Sequence, residues 1–296
     1  MNTNIIYQRT QNARSAYRAL FRYQGGKQKL RKRIVDLFPS GIGRYFEPFI
    51  GAGSIYLELR NRGFRSAAFL GDRNPEVVNI HQVIATDPDG FEKTYRKHYE
   101  RHSRDYFYFL RDQEMHGWIP VERAARTVYL AKAAFHGLLR VNKQGRVVAT
   151  YGTGEFNRVH LDGARIRRAS EAFRGADIRC DDFGWVEAMA QSSDLVFMDS
   201  PYVGGNVSYV AEGFGESDHL RLQRVCRSLD AKGVLIVLTN ADRPYVRNLY
   251  SGFHMIPVPP APSIGRGGAR RQPVGELVIT NFEPRLNGNG KFQVAA

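Results

Sequence analysis

The four residues from Asp199 to Tyr202 (Asp-Ser-Pro-Tyr) suit one kind of chemistry. They follow an apolar run that is typical of a buried strand, and α/β proteins bind ligands at the carboxyl ends of their strands. An amino group on a nucleobase is a poor nucleophile because its lone pair is delocalised into the ring. A strand-end carboxylate and the next backbone carbonyl can accept its two N–H groups, while an aromatic ring stacks on the base. An ordinary proline turn after a strand is the alternative interpretation.

A glycine-rich turn over residues 46–54 (Phe-Glu-Pro-Phe-Ile-Gly-Ala-Gly-Ser) joins a short strand to a helix. Glycines at such a turn let a ligand lie directly against the backbone. Tyr56 stands where the dinucleotide-binding fingerprint has its third glycine, which disfavours close packing of a pyrophosphate. Asp72 ends the next strand, 21 residues after Gly51, where a carboxylate can accept both hydroxyls of a ribose. This pattern predicts a ribose-bearing cofactor without a diphosphate, and the alternative is a tight turn with a capping aspartate.

Two further segments combine aromatic, glycine and cationic residues. Residues 23–27 (Tyr-Gln-Gly-Gly-Lys) are suited to close over a flat, partly anionic ligand, or form a plain surface turn. Residues 135–146 resemble a hairpin tip with an aromatic residue, two leucines and two arginines. Arginine can bind a guanine edge, and an exposed aromatic ring can wedge between base steps. The alternative for this hairpin is a solvated basic loop whose apolar residues pack beneath it.

Several classes of enzyme are disfavoured by the sequence. It contains neither the G-x-S-x-G turn of serine hydrolases nor a Walker phosphate-binding loop. The two cysteines, Cys180 and Cys226, are too few for a disulfide framework or a four-thiolate zinc site. We expect both to be buried thiols in a reducing compartment, and we expect no metal cofactor.

The apolar pattern predicts the elements that must position these residues. Strand, glycine turn, helix and strand follow one another between Arg44 and Asp72, which forms a βαβ unit and predicts a parallel sheet. Three later apolar strands are predicted at residues 194–199, 233–239 and 275–282. The pattern from about Pro75 to Leu139 is mostly helical and polar, and it predicts a helical insertion at roughly residues 80–175. The predicted fold is therefore α/β, with a sheet interrupted by a helical insertion.

The composition indicates a folded, basic protein. The chain has 296 residues, with 43 Lys and Arg against 29 Asp and Glu, so the net charge is +14. A hydrophobic fraction of 43% excludes disordered and collagen-like classes. Because charged residues make up only 24%, the excess results from few acids and favours a polyanionic partner, although a basic protein without one is the alternative.

The N-terminal residues carry arginines but no apolar stretch, and no run of the sequence has the length and apolarity of a membrane-spanning helix. We therefore expect a soluble, cytoplasmic protein with no membrane partner. An organellar transit peptide over the first 20 residues is the alternative.

Taken in order, the motifs resemble those of the Dam-like N6-adenine DNA methyltransferases over residues 22–283. Residues 22–27 are similar to the family's Trp-x-Gly-Gly-Lys motif, with Tyr in place of Trp, and residues 46–54 to its Glu-Pro-Phe-x-Gly-x-Gly-Ser motif. Residues 72–74 resemble its Asp-x-Asn, residues 182–183 its Asp-Phe, and residues 199–202 its catalytic Asp-Pro-Pro-Tyr. Residues 135–142 run parallel to its recognition segment, Tyr-Asn-Gly-Leu-x-Arg-Tyr-Asn, and residues 263–271 resemble its basic loop.

The resemblance implies a Rossmann-like, mostly parallel methyltransferase sheet with helices on both faces, formed by residues 1–80 and 176–286. It implies an inserted target-recognition domain at residues 81–175 and a flexible tail at residues 287–296. The implied cofactor is S-adenosylmethionine, without a metal, and the implied partner is double-stranded DNA. The implied catalytic residues are Asp199, Ser200, Pro201 and Tyr202. The implied cofactor-binding residues are Tyr23, Lys27, Phe49, Gly51, Ala52, Gly53, Asp72, Asp182 and Phe183. The implied DNA-binding residues are Arg22, Phe135, His136, Leu138, Arg140, Asn142, Arg266, Arg270 and Arg271.

Three residues depart from the family pattern. His136 stands in place of Asn, and Thr150 in place of a common Pro, so the resemblance does not extend to the GATC target site. Ser200 stands where the catalytic motif has Pro. Serine keeps the backbone carbonyl that accepts a hydrogen bond but lacks the fixed φ of proline, so the carbonyl is less rigidly aimed.

The resulting prediction is direct methyl transfer from S-adenosylmethionine to N6 of an adenine flipped out of a specific duplex site. A weakly active or inactive DNA-binding protein of the same fold is one alternative. Methyl transfer to another amino group, on cytosine N4 or on adenine in RNA, is a second. In each case we expect a bacterial or phage-encoded protein.

Overall fold

Seven strands form one sheet in the computed structural model, which describes residues 16–137, 147–153, 159–204, 214–258 and 275–284. The order of the strands across the sheet is β3-β2-β1-β4-β5-β7-β6. Their bounds are β1 Tyr45–Glu47, β2 Ala68–Asp72, β3 Asp177–Cys180, β4 Leu195–Met198, β5 Leu235–Ala241, β6 His254–Val258 and β7 Glu276–Thr280. Strands β3, β2, β1, β4 and β5 pair in parallel, whereas β7 is antiparallel to both β5 and β6. The mostly parallel α/β fold is therefore confirmed.

Two of the seven strands, β3 and β6, are absent from the sequence prediction. Both lie at the edges of the sheet, where one face of each strand remains partly exposed and the apolar signal is weak. Strand β3 reads Asp-Ile-Arg-Cys, and β6 contains Pro257, a residue that sheets accept mainly on edge strands.

Ten α-helices lie in the described residues. Their bounds are α1 Arg31–Val35, α2 Ser54–Asn61, α3 Pro75–Thr86, α4 Pro88–Glu100, α5 Arg104–Asp112, α6 Pro120–Ala133, α7 Gly163–Phe173, α8 Trp185–Met189, α9 Glu216–Ala231 and α10 Pro244–Leu249. Several begin at a side-chain cap, as in α3, where Asn74 Oδ1 accepts the amide of Glu76.

Alternate residues of the central strands face two separate hydrophobic clusters. In β4, Leu195 and Phe197 belong to one cluster, and Val196 and Met198 belong to the other. This alternation is expected of a strand whose two faces are both covered, and all four residues of β4 are fully buried.

The first cluster extends from the sheet into the helices between residues 81 and 175. It includes Phe91 of α4, Phe107 of α5 and Tyr129 of α6. Tyr56 of α2 also donates a hydrogen bond to the carbonyl of Ala172 in α7. Because the core is continuous here, the division into a catalytic and a recognition domain stays a prediction.

The two cysteines differ in environment. Cys226 is buried in the second hydrophobic cluster, as expected, whereas Cys180 at the end of β3 is exposed, so its prediction as a buried thiol is wrong. The reason is the edge position of β3, which leaves that face of the strand uncovered. Within the described parts of the chain, no helix has the length and apolar character needed to cross a membrane.

The strand order reverses direction between β1 and β4. From β1 the chain proceeds outward through β2 to β3, and it then returns to place β4 on the other side of β1. In open α/β sheets, ligands bind in the crevice beyond the carboxyl ends of the strands at such a switch point. The fold therefore locates a crevice where β1 and β4 end.

Asp194, directly before β4, connects that strand to β1 through several hydrogen bonds. Its buried carboxylate accepts the guanidinium and the amide of Arg44 and the amide of Gln191. Replacement Asp194→Ala leaves these donors without their acceptor, so we expect the free energy of unfolding to fall by about 2–3 kcal/mol. Urea unfolding of the purified variant measures this change. The control Asp177→Ala removes an exposed ion pair with Arg179 and should change stability by less than about 1 kcal/mol. Equal losses in the two variants would contradict the role assigned to Asp194.

Candidate active site

A cleft with a volume of about 290 Å³ opens at the carboxyl ends of β1, β2 and β4. It brings together segments that are separated by up to 250 residues, from Tyr23 to Glu276. Twelve of the thirteen residues predicted to be catalytic or cofactor-binding line it, namely Tyr23, Lys27, Phe49, Gly51, Ala52, Asp72, Asp182, Phe183, Asp199, Ser200, Pro201 and Tyr202. The remaining one, Gly53, is not among the lining residues.

Two hydrogen bonds hold the glycine turn after β1, one at the amide of Gly51 and one at its carbonyl. Gly51 donates its amide to Asp72 Oδ2 over 3.0 Å, and its carbonyl lies 2.7 Å from His81 Nε2. Gly51 has φ +49°, and a Cβ at this position would lie 3.0 Å from the ring of Tyr23. Glycine is needed because a side chain would both strain the backbone and displace that ring.

Gly53 packs against a neighbouring helix and is not among the residues that line the cleft. It caps α2 with φ +72°, and a Cβ would lie 2.9 Å from Phe173 Cζ. The residue therefore allows α7 to approach the turn closely. Its predicted contact with a cofactor stays a prediction.

Asp72 is a carboxylate in a confined position at the end of β2. Its oxygens accept the amides of Gly51 and Asn74, at 3.0 and 2.9 Å. Burial raises the pKa of Asp72 from 3.8 to about 6, and the two amide donors only partly oppose this shift. The side chain is thus ionised above about pH 6 and remains at the edge of the cleft.

Asp199 is held between two donors from different parts of the fold. Lys27 Nζ lies 2.7 Å from Oδ1 and 2.9 Å from Oδ2, and Thr239 of β5 donates its hydroxyl to Oδ1 over 2.6 Å. The lysine side chain is only 5% exposed and the aspartate 17%. Lys27, which the resemblance assigns to the cofactor, therefore contacts the candidate catalytic carboxylate directly.

The ring of Tyr202 is fixed at its hydroxyl end and lies beside the same cation. Its hydroxyl donates to Glu276 Oε2 over 2.8 Å, and Lys27 Nζ lies 4.7 Å from the ring centre. Burial raises the pKa of Tyr202 well above its ordinary value, with the charges of Asp199 and Glu276 adding to the shift, so the phenol stays protonated as a donor.

Ser200 is buried between these two residues. Its side chain is 2% exposed, and its hydroxyl has no hydrogen-bond partner among the described residues. The predicted role of the Ser200 backbone carbonyl stays a prediction.

Asp182 and Phe183 line another part of the cleft, and Arg221 of α9 contacts both of them. The Arg221 guanidinium lies 3.9 Å from the Phe183 ring centre and binds both carboxylate oxygens of Asp182, at 2.5 and 2.7 Å. This pairing lowers the pKa of Asp182. Phe49 stacks on Phe183 with ring centres 5.4 Å apart. The predicted contact of these two residues with a cofactor base stays a prediction, and it requires Arg221 to share or leave this position.

The cleft is acidic although the chain is basic. Its described lining includes seven acidic residues, which are Glu47, Asp72, Asp181, Asp182, Asp199, Asp218 and Glu276. It includes three basic residues, which are Lys27, Arg73 and Arg221. Glu47 is fully enclosed beneath the cleft, where burial raises its pKa well above the usual range and Tyr45 donates a hydrogen bond to it. Such a cleft favours a cationic ligand.

Part of the predicted DNA-binding set lies in described residues. Phe135 is 47% exposed, and His136 and Gly137 both have positive φ, which turns the chain sharply after α6. An antiparallel bridge between Ala134 and Tyr151 closes the base of this segment. Arg22 packs on Gly137, where a Cβ would lie 3.0 Å from its side chain. The other predicted residues, Leu138, Arg140, Asn142, Arg266, Arg270 and Arg271, lie outside the described residues.

Three contributors to the site were not identified from the sequence: Thr239, Glu276 and Arg221. Thr239 and Glu276 do belong to predicted apolar strands, where each lies at the end of a run of Val, Leu and Ile. A polar residue at the end of such a run is the signal that could have found them. Arg221 carries no comparable signal, since it is one of many arginines on helices.

The chain was compared with known protein families and proteins. The family described as D12 class N6 adenine-specific DNA methyltransferase matches residues 23–260. A type II methyltransferase of Lactococcus lactis subsp. cremoris is 30% identical over 276 residues, which cover 90% of this chain and 95% of that protein. A DNA adenine methylase of Vibrio cholerae is 27% identical over 278 residues, which cover 91% of this chain and 98% of that protein.

A solved rRNA methyltransferase of Streptomyces viridochromogenes has 15% identity and a TM-score of 0.33 over 85% of this chain and 82% of that one, which is too low to carry an argument. The family match, by contrast, spans most of the chain, and it agrees with the resemblance of the motifs. The chain belongs to the D12 class of N6 adenine-specific DNA methyltransferases.

Proposed function

We propose that the cleft binds S-adenosylmethionine next to a target adenine flipped out of double-stranded DNA, and that Asp199, the Ser200 carbonyl and Tyr202 promote methyl transfer to N6. The observation that carries this proposal is the convergence of the glycine turn, Asp72 and the segment 199–202 on one cleft. An amino group stacked inside a duplex cannot reach a bound methyl donor, so the base has to leave the stack.

The residues of the cleft fit this cofactor. Gly51 offers backbone without a side chain, Asp72 offers a carboxylate for ribose hydroxyls, and the acidic lining complements a positive charge. When bound, the cofactor supplies an electrophilic methyl group on a sulfonium. Loss of that charge on transfer weakens the attraction of the acidic lining, which favours release of the product.

Asp199 is the acceptor for one N6 hydrogen. Lys27 and Thr239 fix its carboxylate, so little rearrangement is needed when the amino group arrives. Both donors bind Oδ1, and Lys27 also reaches Oδ2, so the adenine amino group competes with the lysine for the second oxygen. Lys27 thus acts as a positioning residue for this carboxylate.

The Ser200 carbonyl accepts the other N6 hydrogen, and the ring of Tyr202 stacks on the adenine. Glu276 holds the Tyr202 hydroxyl, which restricts rotation of the ring. With both N–H groups engaged outside the plane of the base, the nitrogen lone pair can form a bond to the methyl carbon while the bond from that carbon to the cofactor sulfur breaks. N6 would then lose one proton along its hydrogen bond to the Asp199 carboxylate. Pro201 restricts the backbone between the two residues that do this.

The DNA contact rests on charge and on the segment after α6. The net charge of +14 and the exposed ring of Phe135 both suit a duplex with an opened base step.

Replacement Asp199→Asn is expected to reduce kcat by about 10²–10³-fold, because the amide accepts the amino group less strongly and offers one oxygen instead of two. Transfer of labelled methyl groups from S-adenosylmethionine to mixed duplex DNA, followed by nucleoside analysis, measures the rate and the product. The matched control Asp177→Asn changes an exposed carboxylate on an edge strand and should retain the rate of wild type.

The expected product is N6-methyladenine. Recovery of N4-methylcytosine would contradict the adenine assignment, and labelling of RNA in preference to duplex DNA would contradict the partner. Wild-type protein that shifts duplex DNA in gels and labels nothing would indicate a binding protein without activity.

Replacement Ser200→Pro is expected to raise kcat by up to about tenfold, since about 1.4 kcal/mol of transition-state stabilisation follows from a more rigidly aimed carbonyl. The buried serine hydroxyl has no partner to lose in the described residues. Single-turnover methylation at saturating DNA isolates this step from product release. A slower chemical step in a variant that keeps the stability of wild type would contradict the role given to this carbonyl.

Replacement Asp72→Asn is expected to weaken S-adenosylmethionine binding by about tenfold or more at pH 8, as measured by calorimetry.

The native pKa of Asp72, about 6, exceeds the ordinary 3.8, so the native state binds this proton more tightly than the unfolded state. The stability that Asp72 contributes therefore falls as the pH rises from about 4 to 6, whereas asparagine does not titrate. The unfolding free energy of the variant should rise relative to wild type across that window. Parallel pH profiles for the two proteins would contradict the assigned shift.

A further inference from the structure

Five cations gather where the segment before residue 23 meets α6 and α7. Arg165 and Arg168 lie one turn apart on α7, and Lys132 lies in the last turn of α6. Arg18 and Arg22 come from the N-terminal segment and are exposed. These residues are Arg18, Arg22, Lys132, Arg165 and Arg168, and we refer to them as the basic cluster.

Direct contacts join the parts of the basic cluster. The guanidinium of Arg165 donates a hydrogen bond to the carbonyl of Ala19, which attaches α7 to the N-terminal segment. Arg22 packs on Gly137, the fourth residue after α6 ends at Ala133. The cluster is therefore continuous with the segment that begins at Phe135.

The basic cluster has no acidic partner at ion-pair distance. Within the described residues, none of its five members lies within 4.0 Å of a carboxylate. Arg167, between two members on the same helix, shows the usual alternative, because it pairs with Glu92 at 2.9 Å. Asp162, the cap of α7, is the acid whose charge reaches Arg165 from further away.

Burial and like charges both disfavour the charged forms in this cluster. Burial lowers the pKa of Lys132 and the charges of Arg165 and Arg22 add to the shift, which brings it to about 8. Burial, then Arg18 and Arg168, lower the pKa of Arg165. The Nε atoms of Arg165 and Arg168 are also buried without a hydrogen-bond partner in the described residues. An anion bound at the exposed part of the cluster would relieve this repulsion.

We infer that the basic cluster binds the phosphodiester backbone of the DNA beside the start of the recognition segment at Phe135, an inference that rests on the proposed function for its partner. Guanidinium groups in pairs suit phosphate oxygens. The position beside Gly137 places the cluster where a duplex bound to Phe135 continues past the reaction site. The contact is independent of base sequence, because phosphates carry no sequence information.

The test is the salt dependence of binding to mixed-sequence duplex DNA, measured by fluorescence anisotropy between about 50 and 200 mM salt. Each phosphate contact contributes about 0.9 to the slope of log K against log salt. The double variant Arg165→Gln/Arg168→Gln should lower the magnitude of the slope by about 2, and Arg168→Gln alone by about 1. The loss of affinity should be the same on all duplex sequences.

Arg167→Gln is the matched control, because this residue lies on the same helix and its charge is paired with Glu92. It should keep the slope of wild type. Thermal unfolding of every variant shows whether the fold is kept. If the double variant does not fold, the slope of Arg168→Gln alone tests the inference. Arg168 makes no hydrogen bond to the N-terminal segment in the described residues, so its replacement does not detach that segment. Arg168→Lys should restore most of the slope, because the charge is retained.

A slope equal to that of wild type in a folded variant would overturn the inference, as would an equal reduction in Arg167→Gln. The measurement needs no methyl transfer. If labelled methyl groups fail to reach DNA while the slope still falls, the proposed reaction is wrong and the backbone contact stands.

Discussion

The carboxylate of Asp199 connects three parts of the chain that are distant in sequence. It ends β4, it binds Lys27 from the N-terminal segment, and it binds Thr239 from β5. The ammonium of Lys27 is almost fully buried, so removing Asp199 leaves a buried charge without a counter-ion. The same cation lies beside the ring of Tyr202, which Glu276 holds from β7. The geometry of the cleft therefore depends on this one ion pair and on the strands that bring its members together.

Charge is divided between the cleft and the outer surface. The chain carries an excess of 14 positive charges, yet the described lining of the cleft has more acidic than basic residues. A cationic ligand and a polyanionic ligand would thus be attracted to different places on the same molecule. Part of the positive excess lies in the basic cluster. The cations of this cluster repel one another, and a bound anion would offset that repulsion.

Much of the site could be predicted because its motifs lie at strand ends. Asp72 and Asp199 follow short apolar runs, and parallel strands must end at the same edge of a sheet, so their convergence follows from the pattern alone. The edge strands β3 and β6 could not be predicted in this way, since half-exposed strands need few apolar residues. The exposure of Cys180 follows from the same edge position, which hydrophobicity along the chain does not reveal.

Residue types and their spacing were sufficient to identify the glycine turn, the two strand-end aspartates, the α/β class and the family. They could not assign Lys27 to Asp199 or Arg221 to Asp182, and they left Glu276 and Thr239 unnoticed. Local spacing controls hydrophobic periodicity and backbone conformation, which act over a few residues. Ion pairs and side-chain hydrogen bonds act over a few ångströms between residues up to 172 positions apart, so the partner of each charge was settled by the packing of the sheet and its helices.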